Sequence, residues 1–261
     1  MKKAIVSLVV IMVAAATVNG QLWKVQRLEL TGAIGTTQIF GDIGGYTPGD
    51  NVLGIKDIQL SETRFNIGIG ANYRIWQDLN ARVNLTYGML SSDDVKGSNI
   101  DRAFASTTNF FETTLMGEYY FIKNRVENSY NFSRKNALRN RPRKLDGPMF
   151  RGTFMARMDM YIFTGIGAVS YSVKGNDALE AHDGFKDGGM TMIIPIGLGA
   201  KYVYSPELSF GAEFTGRFAF TDYLEGYTSI YSEHNDIYHF LNFTATYKFD
   251  TFRKRSIIGK R

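Results

Sequence analysis

The chain contains no cysteine and few prolines. Among its 261 residues there are 0 cysteines and 5 prolines. The lack of cysteine excludes a disulfide framework, a thiolate metal site, a cysteine nucleophile and a lipid-anchored N-terminal cysteine. A packed interior, for which the chain is long enough, must therefore hold the protein together.

Long apolar runs are missing beyond the N terminus, so no transmembrane helix is predicted there. At the N terminus, Lys2 and Lys3 precede an apolar run from Ala4 to Val18 that is short for a bilayer span. Val18 and Gly20 occupy the small-residue positions that precede a signal-peptidase site. Residues 1–20 are therefore predicted to be a signal peptide cleaved after Gly20, with an uncleaved N-terminal anchor as the alternative.

The rest of the chain is rich in segments where apolar and polar residues alternate with period two. One such segment has the apolar residues Phe65, Ile67, Ile69, Ala71, Tyr73 and Ile75. Similar patterns begin near Leu28 and recur at 83–89, 111–121, 194–202, 208–218 and 241–249. Residues 154–169 form an eighth strand, whose facing is left open because both of its faces are largely apolar. Period two indicates strands and not helices, so the predicted fold is all-β with eight antiparallel strands.

The composition of the two faces distinguishes a membrane barrel from a soluble β-sandwich or lipocalin-like barrel. The polar face is rich in Gly, Asn, Thr and single charges, and the apolar face has Tyr and Phe near strand ends. Aromatic residues at these positions are typical of membrane barrels. Residues 21–249 are therefore predicted to form an eight-stranded, up-and-down, transmembrane β-barrel in the outer membrane.

Eight strands leave an interior just large enough for side chains. Charges of both signs are expected to point into it: Arg64, Arg74, Arg82, Glu112, Glu118, Lys201, Glu213 and Arg217. Because an unpaired buried charge is costly, these residues should form ion pairs. The expected lumen is plugged, which argues against a general porin.

The connections between strands alternate in length. Long ones are expected at 37–61, 90–107, 170–190 and 221–236, and tight ones around Trp76–Asp78 and Ser205–Glu207. Membrane barrels have short periplasmic turns and longer external loops, so both termini are predicted to be periplasmic. The fourth connection, 122–153, is long although it lies on the short side.

Charge separates along the predicted membrane normal. The four long loops have net charges of −2, −1, −2 and −4, which total −9, whereas the insert 122–153 has +7 and the tail 250–261 has +4. Basic surfaces attract acidic partners. A docking surface for a periplasmic protein, or for outer-membrane lipids, is therefore predicted at Arg134, Lys135, Arg139, Arg141, Arg143, Lys144, Arg253, Lys254 and Arg255. Nucleic acid is not expected in this compartment.

No arrangement of residues predicts catalysis or cofactor binding. The histidines are His182, His234 and His239, and none lies in a recognisable triad. The acidic residues at 93–94 and 177–187 do not have EF-hand spacing and are expected to be solvated. The glycines of 41–45 are not followed by Lys-Ser/Thr, so they are interpreted as turn residues. We expect no enzyme activity, cofactor or metal.

Several short motifs stand out along the chain: Phe40-Gly-Asp-Ile-Gly44, the segment 82–94, Pro195-Ile-Gly-Leu-Gly-Ala-Lys201 and Thr221-Asp-Tyr-Leu-Glu225. They resemble motifs of PorG-like outer-membrane barrels of the Bacteroidota type IX secretion system. The resemblance implies a non-enzymatic component of that machinery, which associates with periplasmic ring proteins, a lipoprotein and its partner. The insert and the tail match no family motif, so their docking role rests on charge and position. The alternative is a stand-alone barrel of the OmpA/OmpX type that serves envelope integrity or adhesion.

Overall fold

The computed structural model describes residues 27–44, 60–94, 100–123, 155–205, 207–228 and 235–249. The predicted signal peptide, nearly all of the predicted insert and the basic tail lie outside the described residues.

The described residues form one closed antiparallel sheet of eight strands in sequence order. The first and last strands close the barrel, with Ile34 opposite Phe243. The eight-stranded up-and-down barrel is therefore confirmed. The strands are β1 (Leu28–Phe40), β2 (Arg64–Arg74), β3 (Leu79–Asp93), β4 (Ala105–Ile122), β5 (Met158–Gly175), β6 (Gly188–Val203), β7 (Leu208–Ala219) and β8 (Ile237–Lys248).

In the part of the chain that the structure describes, helical structure is confined to single turns. An α-helix, α1 (Asp177–Glu180), lies between β5 and β6 and is capped by the Asn176 side chain, which accepts a hydrogen bond from the backbone N–H of Leu179. Three 3₁₀ turns cover Leu60–Glu62, Ile100–Arg102 and Met155–Arg157. Within the described residues, none of these helices is long and apolar enough to span a bilayer.

The wall of the barrel is apolar outside and polar inside. On β2 the side chains of Ile67 and Ile69 are 53% and 59% exposed, whereas Asn66 and Asn72 are fully buried. A soluble barrel has the opposite arrangement, because water would contact the polar face. Exposed apolar side chains on every strand are the surface of a barrel that lipid surrounds. The soluble alternatives do not fit this wall.

The facing of β5, which the sequence left open, follows from its burial pattern. Tyr161, Phe163 and Val169 point inward and are buried, whereas Ile162 and Ile166 are more than half exposed on the wall. Both faces are apolar here because one contacts lipid and the other fills the interior.

Several strand ends differ from the sequence prediction. β5 begins at Met158, after the 3₁₀ turn Met155–Arg157 and later than the predicted start at 154, and β6 begins at Gly188, earlier than predicted. The strand β3 continues to Asp93, paired with Ala105, and β5 continues to Gly175, paired with Ser106. The loops predicted at 90–107 and 170–190 are therefore shorter, at 94–104 and 176–187. In these extensions Leu90, Tyr171 and Val173 are buried in one apolar cluster, whereas Ser92 is a buried polar residue.

Two of the three connections at one end are tight, as predicted, and the third, between β4 and β5, is long, also as predicted. The backbone N–H groups of Ile75 and Trp76 donate to the carbonyl of Leu79, and those of Tyr204 and Ser205 donate to the carbonyl of Leu208. We call this end of the barrel the inner end. The opposite end, where the chain forms the longer loops around 41–63, 94–104, 176–187 and 220–236, is the outer end.

Candidate functional site

The interior of the barrel near the inner end contains a network of ion pairs. Arg82 Nη1 lies 2.6 Å from Glu213 Oε1 and 3.0 Å from Glu118 Oε1. The Lys201 ammonium lies 4.0 Å from Glu118 Oε2 and donates a 3.0 Å hydrogen bond to the hydroxyl of Tyr120. All five side chains are buried. One arginine thus neutralises two carboxylates from different strands.

Two further groups of ion pairs extend this network. Arg217 Nε lies 2.9 Å from Glu112 Oε2, which also accepts a 2.8 Å hydrogen bond from the hydroxyl of Tyr238. At the inner end, Glu29 Oε1 lies 3.4 Å from Arg74 Nη2 and 3.9 Å from Lys248 Nζ. The Arg217–Glu112 pair joins β7 to β4 across the barrel, whereas Glu29 on β1 joins the two neighbouring strands β2 and β8.

Seven of the eight charges predicted to point inward are buried and ion-paired in this network. Arg64 differs, because it is half-buried at the outer start of β2 and donates to the Ser91 hydroxyl and the Ser61 carbonyl. The predicted ion-paired interior is therefore confirmed for the other seven residues. Closure of the lumen to solutes stays a prediction.

Apolar side chains replace the ion pairs towards the outer end. The ring of Phe110 stacks on Phe240, with centroids 5.6 Å apart, and lies 5.8 Å from the ring of Tyr238. We call the buried cluster around Phe110 the apolar layer; it also includes Ile39, Leu90, Val169, Tyr171, Val173, Ile193, Ala219 and Leu224. Alternation in the sequence predicted inward polar residues throughout and did not predict this layer.

Loop residues cover the apolar layer. The loop after β7 dips into the mouth of the barrel, where Leu224 is fully buried and its carbonyl accepts a 2.6 Å hydrogen bond from the Thr108 hydroxyl. Above it, Ile43, Phe104 and Leu179 come from three different loops and form one buried cluster. We call the described loop residues 41–44, 94, 100–104, 176–187, 220–228 and 235–236 the outer cap.

A polar clasp joins the first two loops of the cap. Asp94 accepts hydrogen bonds from the backbone N–H of Gly44 (2.8 Å) and from Arg102 Nε (2.8 Å). Arg102 Nη2 also donates to the carbonyl of Asp42 at 2.8 Å. The φ angle of Gly44 is +77°, a conformation that favours glycine, which fits its interpretation as a turn residue. Asp94 was expected to be solvated, but it is buried because these donors replace water.

Two buried carboxylates join the first and last loops of the cap. Glu225 accepts hydrogen bonds from the backbone N–H of Ile43 (2.8 Å) and from the Ser92 hydroxyl (2.5 Å). Asp236 accepts a 2.8 Å hydrogen bond from the backbone N–H of Leu224. A Cβ at Gly41 would lie 2.5 Å from Glu225 Oε2 and 2.8 Å from Asp236 Oδ1, so both carboxylates face the same point. We call Glu225 and Asp236 the carboxylate pair.

Burial raises the pKa of Glu225 to about 8, and the negative charges of Asp42 and Glu62 act in the same direction. Burial and the neighbouring Glu225 likewise raise the pKa of Asp236. No sequence pattern other than the motif resemblance pointed to this pair. The motifs around 40–44 and 221–225 meet here, although they are far apart in the chain.

The predicted docking residues and the histidines remain to be placed in the structure. The predicted docking residues Arg134, Lys135, Arg139, Arg141, Arg143, Lys144, Arg253, Lys254 and Arg255 lie outside the described residues, so that surface stays a prediction. His182 belongs to the cap and contacts the rings of Phe104 and Tyr227, while His239 lies on β8 between Phe40 and Phe214. The described residues hold no cluster of three or more potential metal ligands.

Comparison of the sequence with protein-family models and with curated proteins finds no match. Among solved structures, the chain is similar to Neisserial surface protein A, with 11% identity, 85% of this chain and 97% of that chain covered, and a TM-score of 0.43. It is also similar to Ail of Yersinia pestis in complex with the heparin analogue sucrose octasulfate (10% identity, 85% and 99% covered, TM-score 0.40). A third is the outer membrane protein OprG from Pseudomonas aeruginosa (10% identity, 86% and 96% covered, TM-score 0.41). At this level of identity and structural similarity, the likeness does not extend to activity or ligands.

Proposed function

We propose that this protein is a non-enzymatic outer-membrane β-barrel that acts as a membrane-anchored scaffold. The observation that carries the proposal is the packed interior. Ion pairs and aromatic side chains share its inner part, the apolar layer follows, and loop residues lie at the outer end. Filled in this way, the lumen is plugged, and the protein acts through the surfaces at its two ends. Purified protein in planar lipid bilayers should show no stepwise conductance; porin-like conductance steps would contradict the plug.

At the inner end, the proposed role is to dock periplasmic proteins of a type IX secretion machinery, a ring lipoprotein and its partner among them. Two sequence features support this role: the motif resemblance, and a net charge of +11 on the insert and tail taken together. A cationic surface attracts acidic partners over roughly a Debye length of about 8–10 Å. The mature chain in this proposal begins at Gln21 and has both termini in the periplasm.

Charge reversal tests the docking role. Arg139, Arg141, Arg143 and Lys144 are replaced together by Glu, and the matched control replaces the three arginines by Lys, which keeps the charge. Cross-linked pull-down from native membranes with mass spectrometry should recover periplasmic partners with wild type and with the Lys control, but not with the Glu variant. Unchanged partner recovery and unchanged secretion, with normal barrel insertion, would reject docking through this insert.

The outer cap favours a second candidate, a stand-alone barrel for envelope integrity or adhesion. Its α1 loop exposes Asp177, Glu180 and Asp183 on a cap that several interloop contacts hold in place. If the outer loops act as an adhesive surface, replacement of these three residues by Asn, Gln and Asn should reduce attachment of whole cells. The same variant should leave the recovery of periplasmic partners unchanged, which separates this role from docking.

A further inference from the structure

The carboxylate pair holds together parts of the cap that are distant in sequence. Glu225 contacts the backbone of Ile43 in the first loop and the side chain of Ser92 near the end of β3. Asp236, just before β8, contacts the backbone of Leu224. Glu225 is 1% exposed and Asp236 is 2% exposed. The closed position of two loops thus depends on the state of two carboxyl groups shielded from water.

The charges around this pair are mostly negative. Asp42 and Glu62 on the side of the first loop act on Glu225, and Asp42 and Asp222 act on Asp236. The nearby cation Arg102 is bound to Asp94 and to the carbonyl of Asp42. Among the described residues, no lysine, arginine or histidine forms an ion pair with Glu225 or Asp236. Two ionised carboxylates here would repel each other in a poorly solvated site.

We propose that the carboxylate pair is a proton-binding site that locks the outer cap, so that the cap loosens when the surrounding medium becomes less acidic. The role goes beyond the proposed scaffold function and does not depend on what docks at either end. With a proton bound, the pair loses its mutual repulsion while its oxygens still accept the backbone hydrogen bonds of Ile43 and Leu224.

The direction of the pH effect follows from linkage. The pKa of Glu225 is about 8 in the closed cap and returns to its ordinary value of 4.5 when an open cap hydrates the group. The closed cap therefore binds more protons than the open cap between these two values. Its extra stability is fully present below the ordinary pKa, is lost progressively as pH rises, and is gone once pH has passed about 8.

Hydrogen exchange of the mature protein in detergent micelles measures this opening. After correction for the intrinsic exchange rate, peptides covering 41–44 and 221–228 should lose protection between pH 5 and 8, by up to about tenfold per pH unit for one proton. Above about pH 8 the loss should level off. Peptides from the middle of β4 should keep constant corrected protection and serve as the internal reference.

Single substitutions test whether the pH response of the cap comes from the carboxylate pair. Glu225→Gln retains a carbonyl oxygen for the Ile43 N–H and cannot ionise, so the pH dependence of cap protection should be clearly weaker, with only Asp236 of the pair left to titrate. The matched control Glu180→Gln removes an exposed carboxylate from the same cap and should keep the wild-type response. If Glu225→Gln does not insert, Asp236→Asn provides the same comparison.

Two outcomes would overturn the proposal. One is constant cap protection in wild type from pH 5 to 9, a measurement that needs no variant. The other is a wild-type pH response in an inserted Glu225→Gln or Asp236→Asn protein. Either result would mean that the closed cap does not depend on a proton at this pair.

Discussion

The two halves of the barrel interior differ in the chemistry of their buried side chains. Near the inner end, Arg82 forms ion pairs with Glu118 on the neighbouring strand β4 and with Glu213 on β7 across the barrel. Near the outer end, rings such as Phe110 and Phe240 stack on each other. Ion pairs require specific partners at specific positions, whereas aromatic packing requires mainly volume. The stability of the inner half should therefore be more sensitive to the loss of a single charged group. In the outer half, loop residues such as Leu224 pack together with side chains of the strands.

The largest effect is expected from Arg82→Met, which tests the inner half. The variant keeps much of the side-chain volume but leaves Glu118 and Glu213 without their shared guanidinium group. Removal of one partner from a buried ionic group should lower the free energy of unfolding by about 5 kcal/mol. Urea unfolding in lipid vesicles, followed by heat-modifiable migration on gels, measures the loss.

Arg64→Met is the matched control for this variant. Arg64 is also on the polar face of the barrel, but it is half-buried and donates to neutral acceptors. Its loss should lower stability by about 1 kcal/mol or less. Equal effects of the two substitutions would mean that the ion-pair network does not make the inner half more sensitive.

Phe110→Ala makes the corresponding test of the outer half. Phe110 is 1% exposed and contacts the rings of Phe240 and Tyr238. Truncation removes apolar burial and leaves a cavity, and should lower the free energy of unfolding by about 3 kcal/mol. Phe110→Leu, which retains more of the volume, should restore most of this stability in the same unfolding assay. A loss as large in the Leu variant as in the Ala variant would contradict a filling based on volume.

The difference between the halves also explains what the sequence could predict. Inward positions follow from period two, so seven of the eight predicted inward charges, Arg82 and Glu213 among them, were identified correctly. Which charges pair depends on strand register and on side chains that meet across the barrel, and alternation contains no information on either. The buried state of Asp94 and Glu225 depends on donors such as the backbone N–H groups of Gly44 and Ile43 in another loop. The local pattern therefore placed Asp94 in a solvated loop and did not indicate that Glu225 is buried.

Gly41→Ala tests the junction between the outer cap and the barrel. A methyl group at this position would lie 2.5 Å from Glu225 Oε2 and 2.8 Å from Asp236 Oδ1, which the backbone contacts of both groups hold in place. The clash should destabilise the closed cap by about 1–3 kcal/mol without unfolding the barrel. Hydrogen exchange should therefore increase in 41–44 and 221–228 and remain unchanged in the middle of β4.

Gly32→Ala and Gly117→Ala are controls for this substitution, because a Cβ at either position would meet no atom within 4 Å. Both variants should keep wild-type exchange in the cap. Wild-type hydrogen exchange in the cap of Gly41→Ala would contradict the prediction, because it would mean that a methyl group fits between the two carboxylates.

The smallest effect on stability, but a clear effect on yield, is expected from Phe249→Ala at the inner rim. Phe249 is 40% exposed, contacts the ring of Tyr247, and donates its backbone N–H to the carbonyl of Leu28. Because the backbone hydrogen bond survives the substitution, the inserted barrel should lose less than about 1 kcal/mol. We expect Phe249, as the aromatic residue at the end of the last strand, to act as a signal for insertion of the barrel, so the amount of heat-modifiable barrel in membranes should fall. Phe40→Ala places the same change at the outer end of β1, beside His239, and should leave that amount unchanged. Normal barrel levels with Phe249→Ala would mean that the last strand does not carry the signal at this position.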